Sequence, residues 1–134
     1  MLDPKLRQVV SIRKDKLEPY NRYGDPIPGM SWMPLSGELH NGEFECFILR
    51  MDPGAESKPH EHVGFEEFLV MEGELIDCDD STYRAGDYVR FLQGSKHTSR
   101  SPDGCTLLVI LRGNNRTLGE MEMDEWSTPP LVRR

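Results

Sequence analysis

The chain lacks any long apolar run. No window of its 134 residues approaches the roughly twenty apolar residues that a membrane-spanning helix requires. Met1 to Tyr20 is charged throughout and holds no apolar signal core. The expectation is a soluble cytoplasmic protein without a membrane partner. Basic charge is also short: Lys plus Arg is 16 against 23 for Asp plus Glu, a net charge of −7. With no basic stripe, an acidic surface repels phosphate backbones, so no nucleic-acid partner is expected. Cysteine is limited to Cys46, Cys78 and Cys105, an odd number without a close pair. That excludes a disulfide framework and a Cys-x-x-Cys metal or redox site. Cys46 and Cys105 sit in apolar runs and read as inert core thiols. The chain also lacks a Gly-rich phosphate loop and a Ser-His-Asp arrangement.

Turn residues are what the chain has in quantity: 12 Gly and 10 Pro. They punctuate it at short intervals, which favours strands over long helices. Apolar residues make up 37% and charged residues 29%, the balance of a globular domain. Residues 1–41 read as an N-terminal covering segment, with Val9, Val10 and Ile12 as a short strand. Asp25-Pro26-Ile27-Pro28-Gly29 is irregular, because each proline fixes φ and removes a donor. Trp32, Met33 and Leu35 form a covering strand. Residues 42–118 read as a barrel and 119–134 as a tail, all within one domain. Strands are expected over Phe44 to Met51, Glu66 to Met71, Leu75 to Cys78, Thr82 to Arg84, Tyr88 to Phe91, His97 to Arg100 and Cys105 to Leu111. Glu72-Gly73, Asp79-Asp80, Ala85-Gly86-Asp87 and Ser101-Pro102-Asp103-Gly104 are the turns between them. Short strands at this spacing indicate an all-β sandwich or barrel. Thr128-Pro129-Pro130 excludes a helix reaching the C-terminus.

Only four histidines are present, and two of them form His60-Glu61-His62. Residues two apart in a strand point the same way, so His60 and His62 project side by side. Glu66 has the same parity, as do Phe68 and Val70, although Gly64 can introduce a bulge. Imidazoles and a carboxylate turned toward an apolar interior are costly as bare groups. A divalent cation removes that cost by taking neutral imidazole nitrogens and an ionised carboxylate as ligands. His97, on a strand brought alongside, would complete a set of four. The donor set suits one divalent transition metal (Fe, Zn, Mn, Ni or Cu) with positions left for water or a small-molecule ligand.

The same residues resemble the cupin superfamily. Its first motif runs Gly, five residues, His-x-His, three or four residues, Glu, six residues, Gly. Gly54, His60, His62, Glu66 and Gly73 stand at those spacings. The second motif is met by Gly86, Gly94 and His97, with Leu92 in place of the usual proline and Ser101 in place of asparagine. Trp32-Met33-Pro34-Leu35, His60 to Glu67, Gly73-Glu74-Leu75-Ile76-Asp77, Tyr83 to Tyr88 and Gly94-Ser95-Lys96-His97 look like the ChrR-like cupins. That group includes the cupin domain of a zinc-binding anti-sigma factor. The acetylacetone-cleaving iron dioxygenase is a looser relative. The resemblance implies a jelly-roll barrel, metal ligands at His60, His62, Glu66 and His97, and a cupin-like homodimer through the N-terminal segment. It also implies either a metal-dependent dioxygenase acting on a small diketone or aromatic ketone, or a ligand- or stress-sensing module. A sugar-binding or isomerase-like cupin is a third reading.

Other polar residues read as ordinary. Glu67 falls on the strand face opposite Glu66 and is expected in solvent or paired with a basic side chain. Asp87 and Arg90 read as turn and surface charges, and His40, beside Asn41-Gly42, as a surface histidine. Met51, Phe68, Val70 and Leu107 are expected to line the barrel.

Overall fold

A computed structural model describes residues 1–37 and 43–119. The short apolar runs fold as strands, divided where glycine, proline and aspartate turn the chain. Among the described residues these are β1 (Glu18–Pro19), β2 (Met30–Gly37), β3 (Glu45–Met51), β4 (Ala55–Glu56), β5 (His60–His62), β6 (Phe65–Asp77), β7 (Thr82–Arg84), β8 (Tyr88–Phe91), β9 (Lys96–His97), β10 (Ser99–Ser101), β11 (Cys105–Arg112) and β12 (Asn115–Thr117). The helical content described is two single 3-10 turns, Pro4–Leu6 and Lys14–Lys16. No helix among the described residues is long and apolar enough to cross a membrane.

One nine-stranded sheet runs β1-β2-β3-β11-β6-β10-β4, with β7 and β8 also paired to β6. A second sheet has the order β12-β5-β9. All pairings are antiparallel. The expected all-β jelly-roll barrel is the architecture found. At its centre, β11 alternates: Cys105, Leu107, Val109 and Leu111 are buried and the residues between them less so. They pack with Trp32, Phe47, Leu49, Met51, Phe68, Val70 and Leu75. Met51, Phe68, Val70 and Leu107 thus line the barrel as expected. Truncating a residue such as Leu107, 3% exposed, to alanine costs about 2–5 kcal/mol.

Several boundaries differ from the sequence expectation. Val9, Val10 and Ile12 form no strand and stand exposed. Among the described residues no strand pairs with them, and an extended segment without such pairing forms no ladder. Glu66–Met71 and Leu75–Cys78 are one strand, β6. The expected turn at Glu72-Gly73 is instead a bulge, where Thr106 faces Glu72, Leu107 faces Val70 and Met71 is left over. Gly73 (φ +76°) lets the β10–β11 connection come close: a Cβ there would lie 2.0 Å from the Gly104 carbonyl oxygen. His97–Arg100 is divided between β9 and β10, which belong to different sheets. Cys105 is buried, but Cys46 is only half-buried on the outward side of β3, so it is not a core thiol. His40 and the tail from 120 onward lie outside the described residues.

Candidate metal centre

β5 is buried at both ends, with His60 7% and His62 0% exposed, while Glu61 faces outward to Arg116 at 2.8 Å. β9 pairs antiparallel with β5 and sets His97 directly opposite His60. The β8–β9 turn is tied to β5 by backbone bonds from Gly94 N to His62 O and from His62 N to Ser95 O, each 2.9 Å. Glu66 keeps the expected parity with His60 and His62 but stands on a different strand. The chain bends at Val63-Gly64, leaving one sheet and entering the other. Gly64 is required at the bend, since a Cβ would lie 1.8 Å from the Arg112 carbonyl oxygen. Glu66 then points back, and its Oε2 is 3.1 Å from His62 Nδ1. One ligand atom from each of His60, His62, Glu66 and His97 lies within 4.8 Å of the others.

Protonation follows from the partners. His60 Nδ1 is 2.6 Å from the Lys58 carbonyl oxygen, and His97 Nδ1 is 2.9 Å from Asp77 Oδ1. Both partners only accept, so both Nδ1 atoms donate, which turns both Nε2 atoms toward the cluster. Those Nε2 atoms are 3.0 Å apart, and His97 Nε2 is also 3.0 Å from His62 Nε2. Nitrogens at that distance share either a proton or a metal ion, since two bare lone pairs would repel. Two imidazole nitrogens each about 2.1 Å from a shared ion and at right angles stand about 3.0 Å apart, so the spacing fits a metal. Burial, reinforced by His97, pushes His60 and His62 down to about 3, which keeps them neutral as metal ligands must be. Burial raises the Glu66 carboxyl, opposed by His60, His97 and Arg22.

Reading the sequence alone missed the supports around the cluster. Asp77 is buried, accepts from His97, and also accepts from Tyr83 Oη at 2.8 Å and Cys78 N at 3.0 Å. Burial alone would raise its carboxyl, but the bonds from His97 and Tyr83 hold it below its usual value. A histidine anchored on a carboxylate in this way is oriented and made more basic toward a metal. The signal was present: Asp77 alternates with the apolar Leu75. Phe91 stacks on His62 at 5.3 Å with planes 6° apart and sits 4.3 Å from His97.

Tyr20–Tyr23 lies in the N-terminal covering segment and carries more than apolar bulk. The Tyr23 ring lies 6.3 Å from His60, and Burial, with Asn115 opposing, pushes its hydroxyl up to about 12. Arg22 forms a buried bidentate pair with Glu45 at 3.0 and 3.1 Å and donates to Tyr20 Oη at 3.2 Å. No periodicity marks these residues. Glu67, expected in solvent or beside a base, accepts from Tyr88 Oη at 2.6 Å on the exposed side. Asp87 closes its turn on Arg84 N, and Arg90 lies over the Phe65 ring.

A curled antiparallel barrel carrying three histidines and a glutamate in its interior defines a cupin. The chain belongs to the ChrR cupin-like family, whose domain model matches residues 12–114. Among solved structures it is similar to an acetylacetone dioxygenase from Acinetobacter johnsonii: TM-score 0.74, 17% identity, 86% of this chain and 80% of that one. It is similar to the anti-sigma ChrR of Rhodobacter sphaeroides, solved with SigE: TM-score 0.54, 26% identity, 62% of this chain and 44% of that one. The polyketide cyclase RemF of Streptomyces resistomycificus matches with TM-score 0.65 at 17% identity over 84% of this chain and 89% of that one. No curated protein sequence matches.

Proposed function

We propose that the chain holds one divalent transition metal on His60, His62, Glu66 and His97 and acts as an iron-dependent dioxygenase on a small diketone or aromatic ketone. The observation that carries the metal is the convergence of the His60 and His97 Nε2 atoms, 3.0 Å apart with both Nδ1 atoms engaged elsewhere, beside His62 and Glu66. Iron bound there would supply Lewis acidity and a redox change toward O₂. The residues of the chain supply the setting. Phe91, backed by Phe68, sets an apolar wall against His62 and His97 that limits water there. Asp77 holds His97 in place. Tyr23 stays protonated at neutral pH and can donate to a bound carbonyl oxygen. The likeness to a dioxygenase of known substrate motivates the ketone class.

An oxygen electrode tests the reading on the iron-loaded and zinc-loaded protein. O₂ uptake with a 1,3-diketone or hydroxylated aromatic ketone is expected for iron and not for zinc, which has no accessible redox change. Uptake no greater than the metal-free control across the panel rejects the enzyme.

The match to the ChrR cupin-like model over residues 12–114 favours a second reading, a sensing module. That reading predicts no turnover with any metal and a melting temperature that rises with ligand. We also propose a homodimer. The exposed Val9, Val10 and Ile12 support it as apolar surface for a second copy to cover. Light scattering at micromolar concentration should give twice the chain mass, and a monomer mass rejects it.

A further inference from the structure

His60 and His97 each have an acceptor for Nδ1–H, and His62 has no aligned one. Its Nδ1 is buried without a hydrogen-bond partner, and so is Asn115 Oδ1. The two residues face each other directly across the β12–β5 pair, Asn115 opposite His62. Cross-strand partners stand with Cβ atoms about 5 Å apart, within reach of a side-chain hydrogen bond. One atom can donate and the other can only accept.

The amide orientation follows from the N-terminal segment. Asn115 Nδ2 donates to Tyr23 Oη at 3.2 Å. Anchoring the nitrogen there leaves the oxygen as the group Asn115 offers to β5. Were the amide turned over, its NH₂ would meet His62 Nδ1 and force the proton onto Nε2, which faces His97 Nε2 at 3.0 Å. We infer that Asn115, oriented by Tyr23, is the positioning residue that accepts from His62 Nδ1–H and fixes the tautomer in which Nε2 faces the cluster. Glu66 Oε2, 3.1 Å from His62 Nδ1 but out of line for a hydrogen bond, is the competing acceptor. Each imidazole then has its own support: a carbonyl for His60, a carboxylate for His97, an amide for His62.

This inference deepens the proposed metal site and rests on it only for the affinity arm of its test. Long-range ¹H–¹⁵N spectra of histidine-labelled protein report each tautomer, with and without zinc. The expected result is His62 in the Nδ1–H form in the parent protein. Asn115→Ala should mix the tautomers and lower zinc affinity about 10–100-fold. Asn115→Asp retains an acceptor and should restore both. Tyr23→Phe keeps the amide but frees its orientation, and should mix the tautomers with Asn115 intact; it covers the case in which Asn115→Ala fails to fold. An unchanged His62 Nδ1 resonance in Asn115→Ala overturns the inference, as does a resonance that moves only in Glu66→Ala. If the parent binds no zinc, the metal reading falls while the tautomer comparison still decides this one.

Discussion

Two groups of charged and polar side chains lie buried in this barrel, and they are built on opposite terms. Arg22 and Glu45, with side chains 3% and 1% exposed, form a complete pair. The cation is part of the chain, both carboxylate oxygens are engaged, and Trp32 and Phe47 lie under the guanidinium at 5.2 and 5.4 Å. The His60, His62, Glu66 and His97 cluster has acceptors and no cation of its own. The first group is closed and holds the N-terminal segment against β3. The second gathers imidazoles and a carboxylate that a divalent cation could hold together. Burial by itself therefore does not distinguish the two groups; the balance of donors and acceptors does.

That contrast is broken most directly at its closed half. Arg22→Met strands the Glu45 carboxylate and should cost about 3–5 kcal/mol, the usual penalty for a buried charge left without its partner. Chemical denaturation should show that loss equally with and without added metal. If the loss vanished on adding metal, the two groups would not be independent. The open half should behave in reverse. Metal at a thousand times its dissociation constant should stabilise the parent by about 4 kcal/mol, and a chelator should remove the gain. His97→Ala should abolish the response in a thermal melt. A His97→Ala protein still stabilised like the parent would place the metal elsewhere.

A smaller effect is expected from the support beneath the cluster. Asp77→Asn leaves His97 without its anionic anchor and should weaken metal binding about 10–100-fold in a chelator competition. An unchanged affinity would reduce Asp77 to a structural partner of Tyr83. A further contrast concerns acid. His60 and His62 resist protonation down to about 3 when folded, against about 6.5 when unfolded. The unfolded chain therefore binds more protons, and the metal-free protein should keep its full stability above about pH 6.5 and lose it progressively toward pH 3. A melting temperature flat over that window would mean the folded imidazoles are already charged.

The legible parts of this molecule were those that repeat or that count. The apolar run of β11 and the turns at Gly86 and Gly104 could be read from alternation and punctuation. The spacing of His60, His62, Glu66 and His97 singled out four residues that the fold does gather. For Glu66 the parity held while the route differed, because the chain changes sheets at Gly64. Tyr23, Arg22 and Asn115 were not legible. Their partners lie 92, 23 and 92 residues away in sequence, and an irregular segment carries no period from which a facing can be deduced. Two-residue strands such as β9 are too short for any pattern.

The bulge at Met71 sets a rule of counting for β6. Glu66, Phe68 and Val70 look inward on even numbers, yet Leu75 and Asp77 do so on odd ones. One supernumerary residue reverses the phase, and so one strand can offer a carboxylate to the cluster at its start and another to His97 at its end. Between those two points the strand behaves like a reading frame. Loss or gain of one residue would turn either Glu66 or Asp77 to the solvent while leaving the ladder largely paired. A change of two would keep both. Homologous chains should therefore vary in length between these positions only by even steps, or carry their second carboxylate somewhere else.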